Sequence, residues 1–239
     1  MVETKVLLKA SLEAGKELLR PLTSRPHTDP AEKPLPVVVP IRSLGENHRE
    51  RIVEHLLALD LQDRYLRFGY AANDEQIARY VSSLNFERDE IFGIYNRKLV
   101  LLAMAHLAYA PADSAEFGVS VSKSARGRGF GSRLFDRAAM HARNDNVSTM
   151  FIHALSENSA MLKIARNAGA VVQRDGSESE AYLRLAPATL DSRMTEVVHE
   201  HFALVDYRIK VQAKQFREVL ADMQRLRKRS THATFDNPD

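Results

Sequence analysis

The chain has 239 residues, no cysteine and a formal net charge of +3 at pH 7. This length allows one ordinary domain with extensions, and the small charge does not require a nucleic-acid partner. The absence of cysteine excludes disulfides, thiolate nucleophiles and cysteine metal sites. No apolar run reaches the roughly 18 residues of a membrane span, and the first residues lack a signal-peptide core, so we expect a cytoplasmic protein without a membrane partner.

The first predicted elements form an appendage. A helical pattern over residues 4–20 is followed by residues 21–36, which hold five of the nine prolines. Such proline-rich composition is typical of an extended linker. We therefore predict that residues 1–36 are a helix plus a linker, and that the main domain covers residues 37–186.

The domain begins with helices and continues with alternating strands and helices. Apolar patterning predicts strands over 37–42, 91–95, 98–108, 116–121, 149–154, 171–172 and 181–185, and helices over 47–59, 74–84, from a glycine loop to about 143, and from 158 onward. The second and third strands form a hairpin at Asn96-Arg97. This order predicts a mixed α/β fold.

Residues 187–239 form a predicted helical arm with a tail. Residues 189–229 contain neither glycine nor proline, and Leu190, Val197, Leu204 and Val211 recur every seven residues. The stripe leaves two options open, packing on the domain or pairing with a second copy of the chain. Residues 206–229 carry eight basic and three acidic side chains, for which a solvated face is favoured over a nucleic-acid or membrane contact. Because the domain pattern ends by about Leu185, we expect the arm to be dispensable for a site in the domain.

The most informative segment is the glycine loop after the strand at 116–121. Its sequence from residue 126 is Arg126-Gly127-Arg128-Gly129-Phe130-Gly131-Ser132. Glycine lets backbone amides approach a ligand, and the following helix directs its unpaired amides and its positive dipole end to the same point. Such a place binds an anion, most often a phosphate. A tight, ligand-free turn remains the alternative.

Two other phosphate loops do not fit this segment. A dinucleotide-binding G-x-G-x-x-G loop would require glycine at Ser132 and an acidic residue near position 150. A Walker A loop would require Gly-Lys-Ser/Thr, which the chain lacks. The loop is therefore a different kind of phosphate site, or none.

A second segment lies about thirty residues further on. Asn158 is a natural N-cap, Met161, Ile164 and Ala168 share one apolar helical face with Ala165, and Gly169 can end the helix. Taken alone, this segment predicts no more than a short, well-capped helix.

Together the two segments resemble the GNAT N-acetyltransferase superfamily. Arg126-x-x-Gly129-x-Gly131 fits the Q/R-x-x-G-x-G/A pattern of its coenzyme A loop, and the helix from Asn158 to Gly169 is similar to its second motif. The sequence around Asn158, together with Arg64-Tyr-Leu-Arg-Phe68, looks most like the catalytic domains of bacterial Pat-type protein lysine acetyltransferases. The resemblance implies a mostly antiparallel central sheet flanked by helices over residues 37–186, with acetyl-CoA as co-substrate and no metal.

The resemblance also implies a set of cofactor-binding residues. They are Val119, Val121, Arg126, Gly127, Arg128, Gly129, Phe130, Gly131, Ser132 and Asn158. The amide of Val119 would face the thioester oxygen as an oxyanion donor. Gly118 within the same strand suggests a bulge or a close backbone approach, and a bulge would free that amide.

Acetylation of an amine also needs a proton acceptor, since a lysine amine has a pKa near 10.4. Glu116 is the candidate general base, because some protein-acetylating GNAT enzymes resemble this chain in carrying a Glu near this point. Asp113 is the runner-up, and a solvent-facing strand residue is the alternative reading of Glu116.

One position departs from the GNAT pattern. Many members carry a tyrosine seven residues after the Asn, which protonates the departing thiolate, and here that residue is Ala165. Ser156 is either a substitute or a structural cap. Other catalytic sites fail on spacing, since His199-Glu200 lacks the second histidine of a zinc helix and no G-x-S-x-G elbow exists.

These observations predict an N-acetyltransferase that moves an acetyl group from acetyl-CoA to a primary amine. The amine belongs to a small molecule or to a protein lysine, and the absence of cysteine favours direct attack. The alternative is a non-catalytic acyl-CoA-binding module with a protein partner, in which the basic arm would supply the contact.

Overall fold

The computed structural model describes residues 39–233. The predicted helix over 4–20, the linker over 21–36 and the last six residues lie outside the described residues. The predicted domain limits therefore stay a prediction.

A seven-stranded sheet with the order β1-β2-β3-β4-β5-β7-β6 forms the centre of the fold. Its strands are β1 (Arg42–Ser43), β2 (Glu90–Tyr95), β3 (Leu101–Ala110), β4 (Ser114–Val121), β5 (Thr149–Leu155), β6 (Val171–Asp175) and β7 (Glu178–Arg184). Every neighbouring pair is antiparallel except β4 and β5. The predicted mixed, mostly antiparallel sheet flanked by helices is confirmed.

The helices follow the predicted order, with one addition. They are α1 (Arg49–Leu57), α2 (Leu61–Phe68), α3 (Asp74–Ser82), α4 (Phe130–Asn144), α5 (Ser159–Asn167) and α6 (Leu190–Ala233), and a 3₁₀ turn (Glu46–His48) precedes α1. Helix α2 was not predicted. It begins at the N-cap Asp60 and ends at Gly69, whose φ of 80° is left-handed. The predicted strand over 37–42 was too long, since only Arg42–Ser43 pairs with β2 among the described residues.

The sheet separates two apolar cores because strand side chains alternate between its faces. The core under α4 and α5 contains Phe92, Leu107, Phe117, Leu134, Phe135 and Ile152. The core under α1 and α3 contains Ile52, Leu56, Ile77, Ile91 and Met104. The second face also carries α2, which contributes no buried residue to either core.

The first part of α6 is attached to α4 by a buried ionic cluster. Glu196 accepts hydrogen bonds from Arg137 (2.7 Å) and Asn144 (2.6 Å), and it also contacts His141 (2.5 Å). Burial alone would raise the pKa of Glu196, but hydrogen bonds from His141 and Asn144 and the charge of Arg137 lower it to about 2. Arg137 is 4 % exposed, so this carboxylate compensates a buried charge.

The same helix contacts β1 and β2 further along. Ala203 is buried, the Arg42 guanidinium lies 3.8 Å from the Tyr207 ring centroid, and Lys210 donates to the carbonyl of Tyr95 (3.1 Å). Of the two options for the arm, packing on the domain is therefore observed, and pairing with a second copy stays a prediction. These contacts argue against a dispensable arm. None of the helices in the described part is long and apolar enough to cross a bilayer.

Candidate active site

The site is built on the divergence of β4 and β5. Their parallel pairing is confined to Ser114–Thr149, Ala115–Met150 and Glu116–Phe151. Beyond Glu116, β4 continues along β3 while β5 continues along β7. The strands separate, and a cleft of about 1180 Å³ opens between them.

Two backbone amides of β4 face this cleft. Ser122 donates to the carbonyl of Leu102 (2.8 Å) on the β3 side, and the carbonyl of Asp113 accepts from Ser148 (2.8 Å) on the β5 side. Because hydrogen bonds alternate along an antiparallel strand, the N–H groups of Val119 and Val121 turn towards β5. At Val119 and Val121, β5 no longer pairs with β4, so both amides are open to a ligand.

The predicted bulge at Gly118 is wrong. The pairing of β3 with β4 is continuous from Ala103–Val121 to Ala110–Ser114, and the divergence of β5 frees the amides instead. Gly118 does allow a close approach, but by a side chain. A Cβ at this position would lie 2.7–2.9 Å from three guanidinium atoms of Arg67.

The glycine loop directs helix α4 into the cleft. Gly127 and Gly129 both have a φ of 72°, and a Cβ at either position would meet nothing within 4 Å, so conformation rather than space requires glycine. Gly131 allows close packing, since its Cβ would lie 3.0 Å from the Cδ1 of Ile164 in α5. The N-cap Gly129 offers no side chain to the first amides of α4. Those amides remain available to an anion.

The structure brings nearly all predicted site residues to one cleft. Its lining includes Glu116, Val119, Val121, Arg126, Gly127, Gly129, Phe130, Gly131, Ser132 and Asn158. Arg128 is the exception, because it is not part of the lining and its guanidinium lies 4.6 Å from the ring centroid of Phe130. Asn158 accepts from the amide of Met161 (3.1 Å) and donates to the carbonyl of Leu66 (3.3 Å), so it caps α5 and holds α2.

The sequence profile of the Acetyltransferase (GNAT) family matches residues 42–170, which is more than half of the chain. The chain belongs to the GNAT acetyltransferase family. A search of curated proteins finds no match.

Solved structures of similar fold agree with this membership. The GNAT domain of S. lividans PAT is 21% identical and covers 61% of this chain and 89% of its own, with a TM-score of 0.53. A putative acetyltransferase from Acinetobacter baylyi is 18% identical over 63% and 95% of the two chains, with a TM-score of 0.53. A GNAT acetyltransferase from Staphylococcus aureus is 13% identical over 62% and 100%, with a TM-score of 0.52. Such low identities show the fold, and they do not single out the Pat type.

The cleft fits the co-substrate of GNAT enzymes, acetyl-CoA. The open amides at the start of α4 suit a pyrophosphate, and the glycine positions leave room for its approach. The two unpaired amides of β4 suit hydrogen bonds to the amide-bearing arm of acetyl-CoA and to its thioester oxygen. Within the described residues, no group of three acidic, histidine or cysteine side chains is arranged to hold a metal ion.

The start of α2, which carries Asp60 and Asp63, lies against the GNAT phosphate loop. The sequence did not predict this contact. The guanidinium of Arg126 forms an ion pair with Asp63 of α2, whose side chain is only 9% exposed. Lys123 lies 3.8 Å from Asp60, the N-cap of the same helix. The hydrogen bond from the amide of Asp63 lowers the pKa of Asp60, and the charges of Lys123 and Arg126 lower it further.

The two candidate bases of this GNAT site are three residues apart near the start of β4. Glu116 is exposed and lines the cleft on the wall that faces α2. Asp113 lies in the turn before β4, outside the lining. Glu116 therefore remains the first candidate for the base, and the assignment stays a prediction.

The tyrosine that protonates the thiolate in many GNAT enzymes has no counterpart among the tyrosines of this chain. Ala165 is fully buried in the core under α4 and does not face the opening. All seven tyrosines lie in the described part of the chain, and none lines the cleft. The hydroxyl of Ser156 donates to the carbonyl of Glu178 (2.9 Å) and contacts Ser179 (2.8 Å), so it fixes the β6–β7 turn.

A buried histidine fixes α1 beneath the GNAT site. Burial lowers the pKa of His55 to about 4, so the ring is neutral at pH 7. Its Nδ1 lies 3.0 Å from the carbonyl of Leu101 and its Nε2 lies 2.9 Å from the hydroxyl of Ser120. A neutral ring therefore donates from Nδ1 and accepts at Nε2, which ties α1 to both β3 and β4.

Proposed function

We propose that the protein is an acetyl-CoA-dependent N-acetyltransferase that acts on a primary amine of a small molecule or of a protein lysine. One observation carries this proposal. An anion-binding helix start, two unpaired β4 amides and the exposed carboxylate of Glu116 line the same cleft. Because the chain has no cysteine, the amine attacks directly, without a thiol-linked intermediate.

Each part of the cleft has one task. Arg126 and the first amides of α4 hold the pyrophosphate, and the amide of Val121 binds the arm that follows it. Acetyl-CoA supplies the acetyl group as a thioester. The amide of Val119 donates to the oxygen that gains negative charge during attack, a contribution of about 3–4 kcal/mol in comparable oxyanion sites.

Glu116 takes the proton from the attacking amine. Its carboxylate lies on the strand that carries Val119, three residues earlier, so base and oxyanion donor are fixed to one element. Proton acceptance by a positioned side chain contributes about 10²- to 10⁴-fold in rate. The departing sulfur leaves as the thiolate or takes a proton from water, since no tyrosine lines the cleft.

The substitution Glu116→Gln tests this assignment, because glutamine keeps size and polarity but cannot accept the proton. We expect the turnover number to fall by about 10²-fold, with acetyl-CoA affinity unchanged and a smaller loss at high pH, where more amine is already free. Release of CoA with a panel of amines and lysine peptides measures turnover, and calorimetry measures affinity.

Asp113→Asn is the matched control, since it removes a carboxylate from the turn before the same strand, outside the cleft lining, and should leave turnover intact. Full turnover in Glu116→Gln at neutral pH would refute its role as base. Binding of acetyl-CoA without transfer to any amine would establish an acyl-CoA-binding module instead. Absence of acetyl-CoA binding to the native protein would refute the proposed function altogether.

A further inference from the structure

The guanidinium of Arg67 lines the cleft without an acidic partner. Arg67 lies on α2, and no carboxylate of the described residues lies within 4.0 Å of it, whereas Arg126 in the same cleft is paired with Asp63. The one hydrogen bond that its guanidinium makes within the described residues goes to the hydroxyl of Tyr80 (2.9 Å). Its Nε atom is buried without a partner. A cation in this state is suited to bind an anion.

A chain of hydrogen bonds orients this guanidinium. Arginine can only donate, so the Tyr80 oxygen accepts and its own proton goes to Nδ1 of His106 (2.9 Å). The Nε2 of His106 then donates to Asp89 (3.2 Å), whose side chain is 2% exposed and is also held by Arg88. Burial and the charge of Arg67 lower the pKa of His106, which keeps Nδ1 free to accept. Tyr80, His106, Asp89 and Arg88 thus form a hydrogen-bonded network that orients the Arg67 guanidinium.

The guanidinium of Arg67 lies over the sheet face that carries Glu116. In the β3–β4 ladder His106 is opposite Gly118 and Ala108 is opposite Glu116, so all four residues share the face towards α2. Arg67 covers Gly118, where a Cβ would lie 2.8 Å from its central carbon. Positions two apart on a strand are separated by roughly 7 Å. A carboxylate and a guanidinium, unpaired with each other, therefore occupy neighbouring positions beside the amide of Val119.

We propose that Arg67 binds a carboxylate carried by the acceptor, so that the acceptor is a zwitterion, such as an amino acid, with its amine at Glu116. This inference rests on the proposed function and specifies the acceptor. The planar guanidinium matches a carboxylate through two parallel hydrogen bonds. A carboxylate on the acyl group is the other source of this chemistry, but Arg67 lies over the sheet face that carries Glu116, whereas the β4 amides proposed to hold the thioester point within the sheet plane. A protein lysine meets the same requirement only when an acidic side chain lies beside it.

Pairs of acceptors that differ only in the carboxylate test this inference. Lysine is compared with cadaverine, and phenylalanine with phenethylamine, using acetyl-CoA and the full chain. We expect kcat/KM to favour the amino acid by roughly 10- to 100-fold, the effect of one charged hydrogen-bonded pair. Arg67→Met should abolish this preference while leaving the rate with the plain amine within a few-fold.

Two further variants separate binding from folding. Tyr80→Phe keeps the ring but removes the hydrogen bond, so KM should rise for the amino acid and not for the amine. Arg67→Lys keeps the charge without the planar fork and should retain part of the preference. The melting temperature and acetyl-CoA affinity of Arg67→Met serve as controls, and both should match those of the native protein.

A binding measurement keeps the inference testable if no amine is acetylated. Calorimetry of the same pairs on the CoA-saturated protein, or on the protein alone if CoA does not bind, should show selective binding of the amino acid that Arg67→Met removes. Equal behaviour of both members of each pair, or an equal loss for both in Arg67→Met, overturns the inference. Arg67-dependent preference for succinyl-CoA with a plain amine also overturns it, by placing the carboxylate on the acyl group.

Discussion

Asp63 places a negative charge beside the loop that we propose binds the pyrophosphate, so its removal should strengthen acetyl-CoA binding. Its carboxylate is paired with Arg126 and is 9% exposed, and it lies on α2 against the loop. A pyrophosphate at the start of α4 would bring further negative charge next to this carboxylate. Arg126 would then have to divide its hydrogen bonds between two anions.

The size of the effect follows from charge and exposure. Two unit charges roughly 7 Å apart interact by about 0.6 kcal/mol in water and about 2.4 kcal/mol at an effective dielectric constant of about 20. Asp63→Asn should therefore gain about 1 kcal/mol, or about 5-fold in affinity. Arg126 is 47% exposed, so screening keeps its contribution at the low end for a charged hydrogen bond, and Arg126→Ala should weaken binding about 10-fold.

Calorimetry on the native protein, both single variants and the double variant measures the two effects and their coupling. Both should shrink between low and high salt, because the charges are partly exposed. Asp60→Asn is the matched control, since asparagine caps α2 equally well and Asp60 is further from Arg126. Suppose Asp63→Asn weakens binding as much as Arg126→Ala, and the double variant is no worse than either. The Arg126–Asp63 ion pair would then only stabilise the contact between the loop and α2, and the backbone amides alone would bind the pyrophosphate.

Two predictions concern backbone conformation and stability. Gly129→Ala should cost about 1–2 kcal/mol of strain and weaken acetyl-CoA binding in calorimetry. The control is Gly176→Ala in the β6–β7 turn, where φ is 57°; it should lower the melting temperature comparably and leave affinity unchanged. An unchanged affinity in Gly129→Ala would contradict the loop's role. Glu196→Gln should lower the free energy of unfolding by about 3 kcal/mol at pH 7, because the pKa of Glu196 lies at about 2 in the folded protein. The stabilisation from Glu196 is complete above the unfolded pKa of about 4.5 and is lost as the pH falls towards 2. Denaturant titrations should therefore show that the stability difference between the native protein and Glu196→Gln shrinks below pH 4.5. A difference that is unchanged at pH 3 would contradict this prediction.

The features that the sequence predicted well depend on local signals. The spacing of glycines after β4 and the position of Asn158 each specify a turn or a cap within a few residues. The face of α5 was predictable in the same way, since Met161 and Ala165 are buried at helical spacing. Such signals need no knowledge of distant chain segments, and the resulting elements lie within a few residues of their predicted limits.

The origin of the open amides was not predictable from one strand. Gly118 suggested a bulge, but the amides are freed because β5 leaves β4 after Glu116 and continues along β7. That change of partner depends on residues that are more than thirty positions away from β4. A strand pattern records which side chains are buried, and it does not record where a neighbouring strand turns aside.

Helix α2 was missed because it lacks an apolar stripe that reaches the core. It has eight residues, none of them buried, although Asp60 and Gly69 are ordinary helix signals. Missing it hid both the partner of Arg126 and the guanidinium of Arg67. Arg67 lies in the segment Arg64-Tyr-Leu-Arg-Phe68, but only Gly118 indicated a close approach, since a glycine within a strand marks one, and here the approaching group is a side chain from α2.

Strand β4 offers separate sides to the two proposed substrates through its own alternation. The amides of Val119 and Val121 point within the sheet plane towards the gap left by β5, where we propose that the donor binds. The side chain of Glu116 and the space over Gly118 lie on the sheet face towards α2, where we propose that the acceptor binds. These directions are perpendicular, and they meet at Val119. In the proposed mechanism a single strand would therefore place donor, oxyanion site and acceptor side by side, and the exposed helix α2 brings the charge of Arg67 to the acceptor side while the cleft stays open.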